Sequence, residues 1–165
     1  MELSNYHSIQ QIRDLLTTNK KIELTGESKE KITKCNAFLL SKIEDKNSVI
    51  YGVNTGFGSL CNTKIDQKDL TQLQVNLIRS HACGMGDYVP HDIVKMMLLL
   101  KVKSLSYGHS GVQLATVEKL LDLYNTSTLP VIYELGSLGA SGDLAPLSHM
   151  SLPLIGEGHP ASLTI

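Results

Sequence analysis

The sequence predicts a mainly α-helical domain, and three observations carry that expectation. Leu70, Leu73, Leu77 and Ile78 fall on one face of a helix that ends near His81. From Ile93 to Leu105 apolar residues recur nearly all the way round a helix, the pattern of a buried element. Leu114, Val117, Leu121 and Tyr124 alternate three- and four-residue steps, the spacing of a packed bundle seam.

The remaining elements follow in order. Ile9, Ile12, Leu15 and Leu16 are spaced for a short amphipathic helix, and Lys21 to Leu24 reads as extended. A second helix is expected from near Ser28 through Cys35 and Leu39 towards Asp45. Ser48-Val49-Ile50-Tyr51-Gly52-Val53 has the β-branched and aromatic content of a short strand, running into a glycine-bearing loop, Asn54 to Gly58. Cys83 to Pro90 carries two glycines and a proline, which break the helical pattern. A helix as apolar as 93–105 has few places to hide in a domain of this size. Partners from further sequence or other subunits are therefore expected to cover it.

Composition narrows the function classes. With 165 residues, 42% of them hydrophobic, the chain is long enough for one domain with a core and is too apolar for disorder. Fifteen basic and 16 acidic residues leave a net charge of -1, which offers no nucleic-acid or membrane-surface footprint. The longest apolar stretch, Met96 to Leu100, is too short to span a bilayer. Met1 to Tyr6 shows neither the basic nor the apolar region of a secretion signal. Cys35, Cys61 and Cys83 form no CxxC pair and fit reduced thiols, so a cytoplasmic location is expected. His81, Cys83 and His91 match no zinc spacing, and no metal is expected.

The chemistry concentrates in Gly136-Ser137-Leu138-Gly139-Ala140-Ser141-Gly142-Asp143. A plain glycine-rich turn is the bland interpretation. A phosphate loop is excluded because no Lys is present, and the GxGxxG spacing is missing. A nucleophile elbow fails because Asp143 stands where GxSxG needs its second Gly, and no triad order is evident. A different reaction suits every residue. If the backbone nitrogen of Gly142 attacks the carbonyl carbon of Ala140, a five-membered ring closes. Loss of one water from that adduct, and of the Ser141 hydroxyl as a second, leaves an exocyclic methylene conjugated with carbonyl and imine. Gly142 lacks a Cβ, so its nitrogen can approach closely in a bend. Ser141 supplies the leaving hydroxyl, and Ala140 is small enough not to block the attack. Asp143 suits the N-cap of a following helix, with Pro146 in its first turn. The chemistry requires that this segment be bent and lie near other reactive side chains.

Three blocks, in this order and spacing, make the sequence resemble the aromatic amino-acid ammonia-lyase family, its histidine-acting members in particular. They are Tyr51-Gly52-Val53-Asn54-Thr55-Gly56-Phe57-Gly58, Asn76-Leu77-Ile78-Arg79-Ser80-His81-Ala82-Cys83-Gly84, and Gly136 through Pro146. The resemblance runs to Gly158, giving an expected domain 1–158 and a divergent tail 159–165. It implies the N-terminal part of an ammonia-lyase/fumarase-like helical fold with a few short strands and glycine-rich active-site loops. It also implies a 4-methylidene-imidazol-5-one (MIO) electrophile formed from Ala140, Ser141 and Gly142, with no metal or diffusible cofactor. The implied reaction is deamination of L-histidine to trans-urocanate and ammonia, the first step of histidine degradation, in a homotetramer.

By the same resemblance Tyr51 is the catalytic base. A phenol ordinarily titrates near pH 10, so that role needs surroundings that stabilise a phenolate. His81, in the Ser80-His81 pair, would meet the substrate's ring, although a lone His at a helix end is ordinarily a dipole partner. Tyr51, Asn54, Gly58 and His81 form the implied substrate-binding set, with the glycines giving the loop freedom to close. Family chains are several times longer and draw further site residues from downstream and from other subunits. The expectation for residues 1–165 alone is a shortened, poorly stable and inactive chain. Two alternatives are a non-catalytic module that assembles with full-length subunits, and a tyrosine lyase or aminomutase using the same electrophile.

Overall fold

A computed structural model describes residues 2–3, 8–18, 20–44, 48–58 and 61–161. Along the chain lie β1 (Glu2–Leu3), α1 (Ile9–Thr18), β2 (Glu23–Leu24), α2 (Gly26–Glu44) and α3 (Leu70–His81). Next come β3 (Met85–Tyr88), α4 (His91–Ser106), α5 (Leu114–Thr126), β4 (Leu129–Pro130), β5 (Tyr133–Leu135), α6 (Ala145–Ser151) and β6 (Pro160–Ala161). Short 3-10 turns, Gln67–Asp69 and Leu152–Ile155, precede α3 and follow α6. The mainly helical expectation holds.

Local chemistry sets the helix starts. At α1, Ser8 Oγ accepts the Gln11 N–H at 3.2 Å while Gln11 Oε1 accepts the Ser8 N–H at 2.8 Å, a reciprocal capping box. At α2, Thr25 Oγ1 accepts the Ser28 N–H at 3.1 Å. The α2 helix ends at Glu44; the remainder of its expected span, at Asp45, lies outside the described residues.

The core is built on α4 against α5. Val94, Leu98, Leu99, Val102 and Leu105 of α4 meet Val117, Leu120, Leu121, Leu123 and Tyr124 of α5, and all are buried. Leu15, Ile22, Leu24 and Ile32 close one side; Leu129, Ile132 and Met150 close the other. Within this chain α4 leaves Ile93 and Leu100 39% and 43% exposed, because α1, α2, α5 and β4 cover only part of its circumference, which is compatible with the further partners expected for it. One expectation is corrected here: residues 48–53 form no strand. Val53 and Asn54 both donate backbone N–H groups to the Ile50 carbonyl at 3.1 Å, which closes a turn instead. In that turn Gly52 sits at φ 75°, a conformation outside any strand.

The strands are short and paired locally. β1 lies parallel to β2, β3 antiparallel to β5, and β4 antiparallel to β6. β3 falls where the sequence suggested only a helix break. Its partner β5 leads directly into the 136–143 loop, which brings the connection after α3 beside the connection before α6. The α3 and α6 helices themselves pack together.

The segment around Ile22 is fastened to α5 by Asn125. Asn125 Oδ1 accepts the Ile22 N–H and Asn125 Nδ2 donates to the Ile22 carbonyl, each at 2.9 Å, substituting for a missing strand neighbour. Ile22 itself is fully buried. Asn125→Ala is expected to lower unfolding free energy by about 2 kcal/mol, since two enclosed backbone groups lose their partner. Asn125→Asp, which keeps the acceptor alone, is expected to fall between the two. Urea denaturation of the three proteins measures this.

Candidate active site

One cavity of about 700 Å³ is lined by Tyr51, Phe57, Gly58, Leu77, Ile78, His81, Ser141, Leu144, Leu147, Ser148 and Ser151. Residues from all three sequence blocks therefore meet, although 90 positions separate Tyr51 from Ser141.

Tyr51 opens the 51–58 loop, and its ring meets Phe57 edge-on at 5.8 Å between centroids. The loop is braced from behind. Gly56 N–H donates to the Thr63 carbonyl at 3.1 Å, and Ile65 N–H to the Asn54 carbonyl at 2.9 Å. Asn54 was expected to bind substrate, but its buried side chain lies outside this cavity. Its Oδ1 accepts the Ile50 N–H at 2.7 Å and its Nδ2 donates to the Ser48 carbonyl at 2.9 Å. It shapes the turn that presents Tyr51.

His81 ends α3. Its Nδ1 lies 2.9 Å from the Leu77 carbonyl and 3.1 Å from Ser80 Oγ. A carbonyl can only accept, so Nδ1 carries the proton and the neutral ring keeps its lone pair on Nε2. Nε2 has no hydrogen-bond partner among the described residues, which leaves it available as an acceptor. The α3 helix is tied to the segment after α6 by Arg79, whose guanidinium grips the Glu157 carboxylate through several hydrogen bonds, Nε to Oε1 at 2.9 Å among them. The pair holds the Glu157 carboxyl below, and the Arg79 guanidinium above, its ordinary value.

The Gly139–Gly142 segment is bent, not extended. Gly142 N–H donates to the Gly139 carbonyl at 3.1 Å, and Gly142 takes φ 88°. Ala140, Ser141 and Gly142 are exposed at this turn, with Ser141 reaching the cavity. The neck of the loop is closed by Asp143. Its Oδ1 accepts the Ser137 N–H at 2.8 Å and the Ala145 N–H at 3.0 Å, one on each side of the turn. Asp143 thus does cap α6, as its residue type suggested, but from one position outside the assigned cap at Leu144. The grip depends on Gly136, because a Cβ there would stand 2.0 Å from the carboxylate. Pro146 sits in the first turn of α6, where a missing N–H costs nothing.

Sequence reasoning missed the wall that α6 provides. Leu144, Leu147, Ser148 and Ser151 recur at helical spacing and could have been read as one face of that helix. Phe57 was within a quoted motif, yet nothing in its type separates packing against Tyr51 from packing against the core.

The chain is already folded back across Ala140-Ser141-Gly142, and the positive φ of Gly142 is a conformation that other residues rarely adopt. The helical fold matches that of solved aromatic-lyase structures. Histidine ammonia-lyase from Trypanosoma cruzi superposes with a TM-score of 0.81 at 36% identity, over 95% of this chain and 30% of that one. Tyrosine aminomutase from Streptomyces globisporus superposes with a TM-score of 0.86 at 33% identity, over 96% and 30%. Residues 7–162 match the family profile described as aromatic amino acid lyase. The histidine ammonia-lyase of Streptococcus gordonii is 53% identical over 137 residues, 83% of this chain and 26% of the relative. The chain belongs to the aromatic amino acid lyase family. It spans about a quarter of the length of that curated relative.

The Ser137 N–H foremost, then that of Ala145 and the Ser137 hydroxyl, hold the Asp143 carboxyl below the usual carboxylate range, against a smaller opposing effect of burial. A depressed carboxyl stabilises its fold above the unfolded value, about pH 4, and the contribution fades as pH falls through the folded value. The Ser137 and Ala145 amides are therefore expected to keep slow hydrogen exchange at neutral pH and to lose it only below about pH 4. Asp143→Ala is expected to remove that protection at every pH while leaving α4 and α5 amides unchanged. Amide exchange followed by NMR decides it.

Proposed function

We propose that this chain carries part of the active site for non-oxidative deamination of L-histidine to trans-urocanate and ammonia, within a cytoplasmic homotetramer. The supporting observation is the single cavity that holds a phenol, an imidazole acceptor and the bent Ala140-Ser141-Gly142 turn. Residues 1–158 would form the domain that bears the electrophile, with a short tail beyond it. The electrophile would be MIO, made from Ala140, Ser141 and Gly142, and it would supply an electron-poor exocyclic carbon that activates the substrate for loss of its amine.

The chain's own residues have separable tasks. Asp143 and the Gly142–Gly139 hydrogen bond hold the turn folded. Tyr51 would be the base that takes one β-proton from the substrate while the α-amino group leaves as ammonia, forming the carbon–carbon double bond of urocanate. His81 Nε2 would accept the N–H of the substrate's imidazole, and Leu77, Ile78, Leu144 and Leu147 would cover the ring's faces. Gly58 leaves room at the cavity wall. Three free cysteines fit a reducing compartment, and no described helix is long and apolar enough to cross a membrane.

Likeness to a tyrosine aminomutase supports a second possibility on the same electrophile, a tyrosine-acting enzyme. Ser80-His81 favours histidine through the family resemblance, in which tyrosine lyases carry their His one place earlier.

The intact mass of the purified chain is expected to lie two water molecules below that calculated from the sequence. Ser141→Ala cannot lose its β-hydroxyl, so it is expected to lose one water at most. An unshifted wild-type mass would refute ring closure in this chain. For substrate, the chain assembled with an intact family member whose own Ser of the tripeptide is replaced by Ala is expected to release urocanate from histidine and no coumarate from tyrosine. Coumarate or β-tyrosine as the main product would favour the second possibility.

A further inference from the structure

A buried imidazole outside the cavity lining joins the pieces that form it. His149, on α6, is 7% exposed. Its Nε2 accepts the Gly84 N–H at 2.9 Å, and its ring leans on Tyr133 of β5 at 5.1 Å between centroids. Three segments therefore converge on one ring: the connection that leaves His81, the strand that leads into the 136–143 loop, and the helix that follows that loop. The contact is close enough that a Cβ at Gly84 would stand 3.0 Å from Nε2 and 3.1 Å from Tyr133 Cβ. Tyr88 of β3 extends the stack, edge-on to Tyr133 at 5.2 Å.

A backbone N–H can only donate, so His149 must present a lone pair at Nε2 and carry its single proton on Nδ1. Protonating Nε2 would set two donors against each other and strand the Gly84 amide. Replacing the hydrogen bond with water needs the ring to leave its place between Gly84 and Tyr133.

We propose that His149 is a positioning residue for the site proposed above: its neutral Nε2 fixes the segment after His81 against α6, so that Ser141 and His81 share one cavity only while that ring is unprotonated. The significance rests on the proposed site, but the linkage is a property of this chain and can be measured without catalysis. Burial pushes the His149 imidazole below its ordinary value, which favours the neutral form at neutral pH. For a base held low in the fold, stability is fully present above the unfolded value, near pH 6.5, and falls as pH drops from there towards the folded value. The titratable neighbours are Tyr133 on β5, Tyr88 beyond it on β3, and Cys83 and His81 on the segment that supplies Gly84. Arg79 is the cation on α3, and Glu134 flanks Tyr133. Within α6 itself no other side chain ionises.

The test is NMR of the full chain, titrated from about pH 8 to about pH 4.5, reading the His149 and His81 ring nitrogens separately alongside the amides of Gly84 and of Leu144, which lines the cavity next to the turn. At neutral pH the His149 nitrogens are expected to show a protonated Nδ1 and an unprotonated Nε2. The Gly84 and Leu144 resonances are expected to move with the midpoint of His149, and the Gly84 exchange protection factor to fall on the order of tenfold, as for a lost hydrogen bond. His149→Gln retains an acceptor and is expected to hold the neutral positions through that midpoint. His149→Phe keeps the ring contact alone and is expected to show the acid positions already at neutral pH. The proposal is overturned if Nε2 carries the proton at neutral pH, if Gly84 and Leu144 follow His81 instead, or if His149→Phe keeps the neutral positions. Should His149→Phe fail to fold, the wild-type titration and His149→Gln decide alone. Because Gly84 and Leu144 keep their amide protons whether or not the ring closes, an unshifted mass with intact His149 linkage would refute the electrophile and leave the linkage standing.

Discussion

The antiparallel pairing of β3 with β5 is the constraint on which the candidate site depends. Three residues separate the end of α3 from the start of β3, and β5 stops where the glycine-rich loop starts. Setting Met85 opposite Leu135 therefore lays the exit from His81 alongside the approach to Ser141. Two strands this short do not hold together unaided. Their anchor lies just outside the ladder, where Val89 donates to the carbonyl of Ile132 at 2.9 Å and Ile132 is buried in the core. The helical core built on α4 and α5 thus reaches the site through Ile132, through Met150 of α6 and through an edge-on pair of tyrosines.

Irregular backbone around the cavity is held by side-chain acceptors in place of a ladder. Asn54 serves both a donor and an acceptor of its own turn, and Asn125 does the same for Ile22. Asp143 gathers two N–H groups, and His149 accepts one. The choice of residue follows the polarity of what is held. Where a carbonyl also needs a partner, an amide is present; where only N–H groups converge, a carboxylate or an imidazole lone pair suffices. Among the described residues no buried side-chain nitrogen or oxygen lacks a partner, so these loops are satisfied as well as bent.

Much of this was legible in the letters, and the failures have identifiable causes. Helical periodicity located five of the helices because apolar residues recur at helical spacing along each. β3 and β5 escaped because Met-Gly-Asp-Tyr and Tyr-Glu-Leu are too short for alternation to be a signal and carry no β-branched residue; what makes them strands is that they lie side by side. The opposite error arose at Val49-Ile50-Tyr51, where strand-like composition was overruled by Gly52 and by the grip of Asn54 on its own turn. Of the site, Tyr51, His81, Ser141 and Gly58 were named from motifs and do share a cavity. Asn54 was the right type in the right loop, but side-chain direction decides between holding a turn and meeting a ligand, and sequence does not encode direction at that scale. The reach of Asp143 back to Ser137 was equally hidden, since it needs the space left by Gly136, seven positions earlier.

The chemistry of the cavity wall bears on which ring it would prefer. Apolar walls such as Leu77, Ile78, Leu144 and Leu147 accept any flat ring of suitable size and reject few, because one methylene or hydroxyl changes binding in such a pocket by only about 1–3 kcal/mol. A fixed acceptor discriminates more sharply against rings that carry no donor, since a ligand with neither N–H nor O–H leaves it desolvated and unpaired. The His81 ring is fixed in this way: Leu77 and Ser80 hold Nδ1, so it cannot exchange its two nitrogens without giving up bonds to its own helix. Its tautomer is set by α3 before any ligand arrives, and the preference for a ring that carries a hydrogen-bond donor would then be a property of the helix end itself.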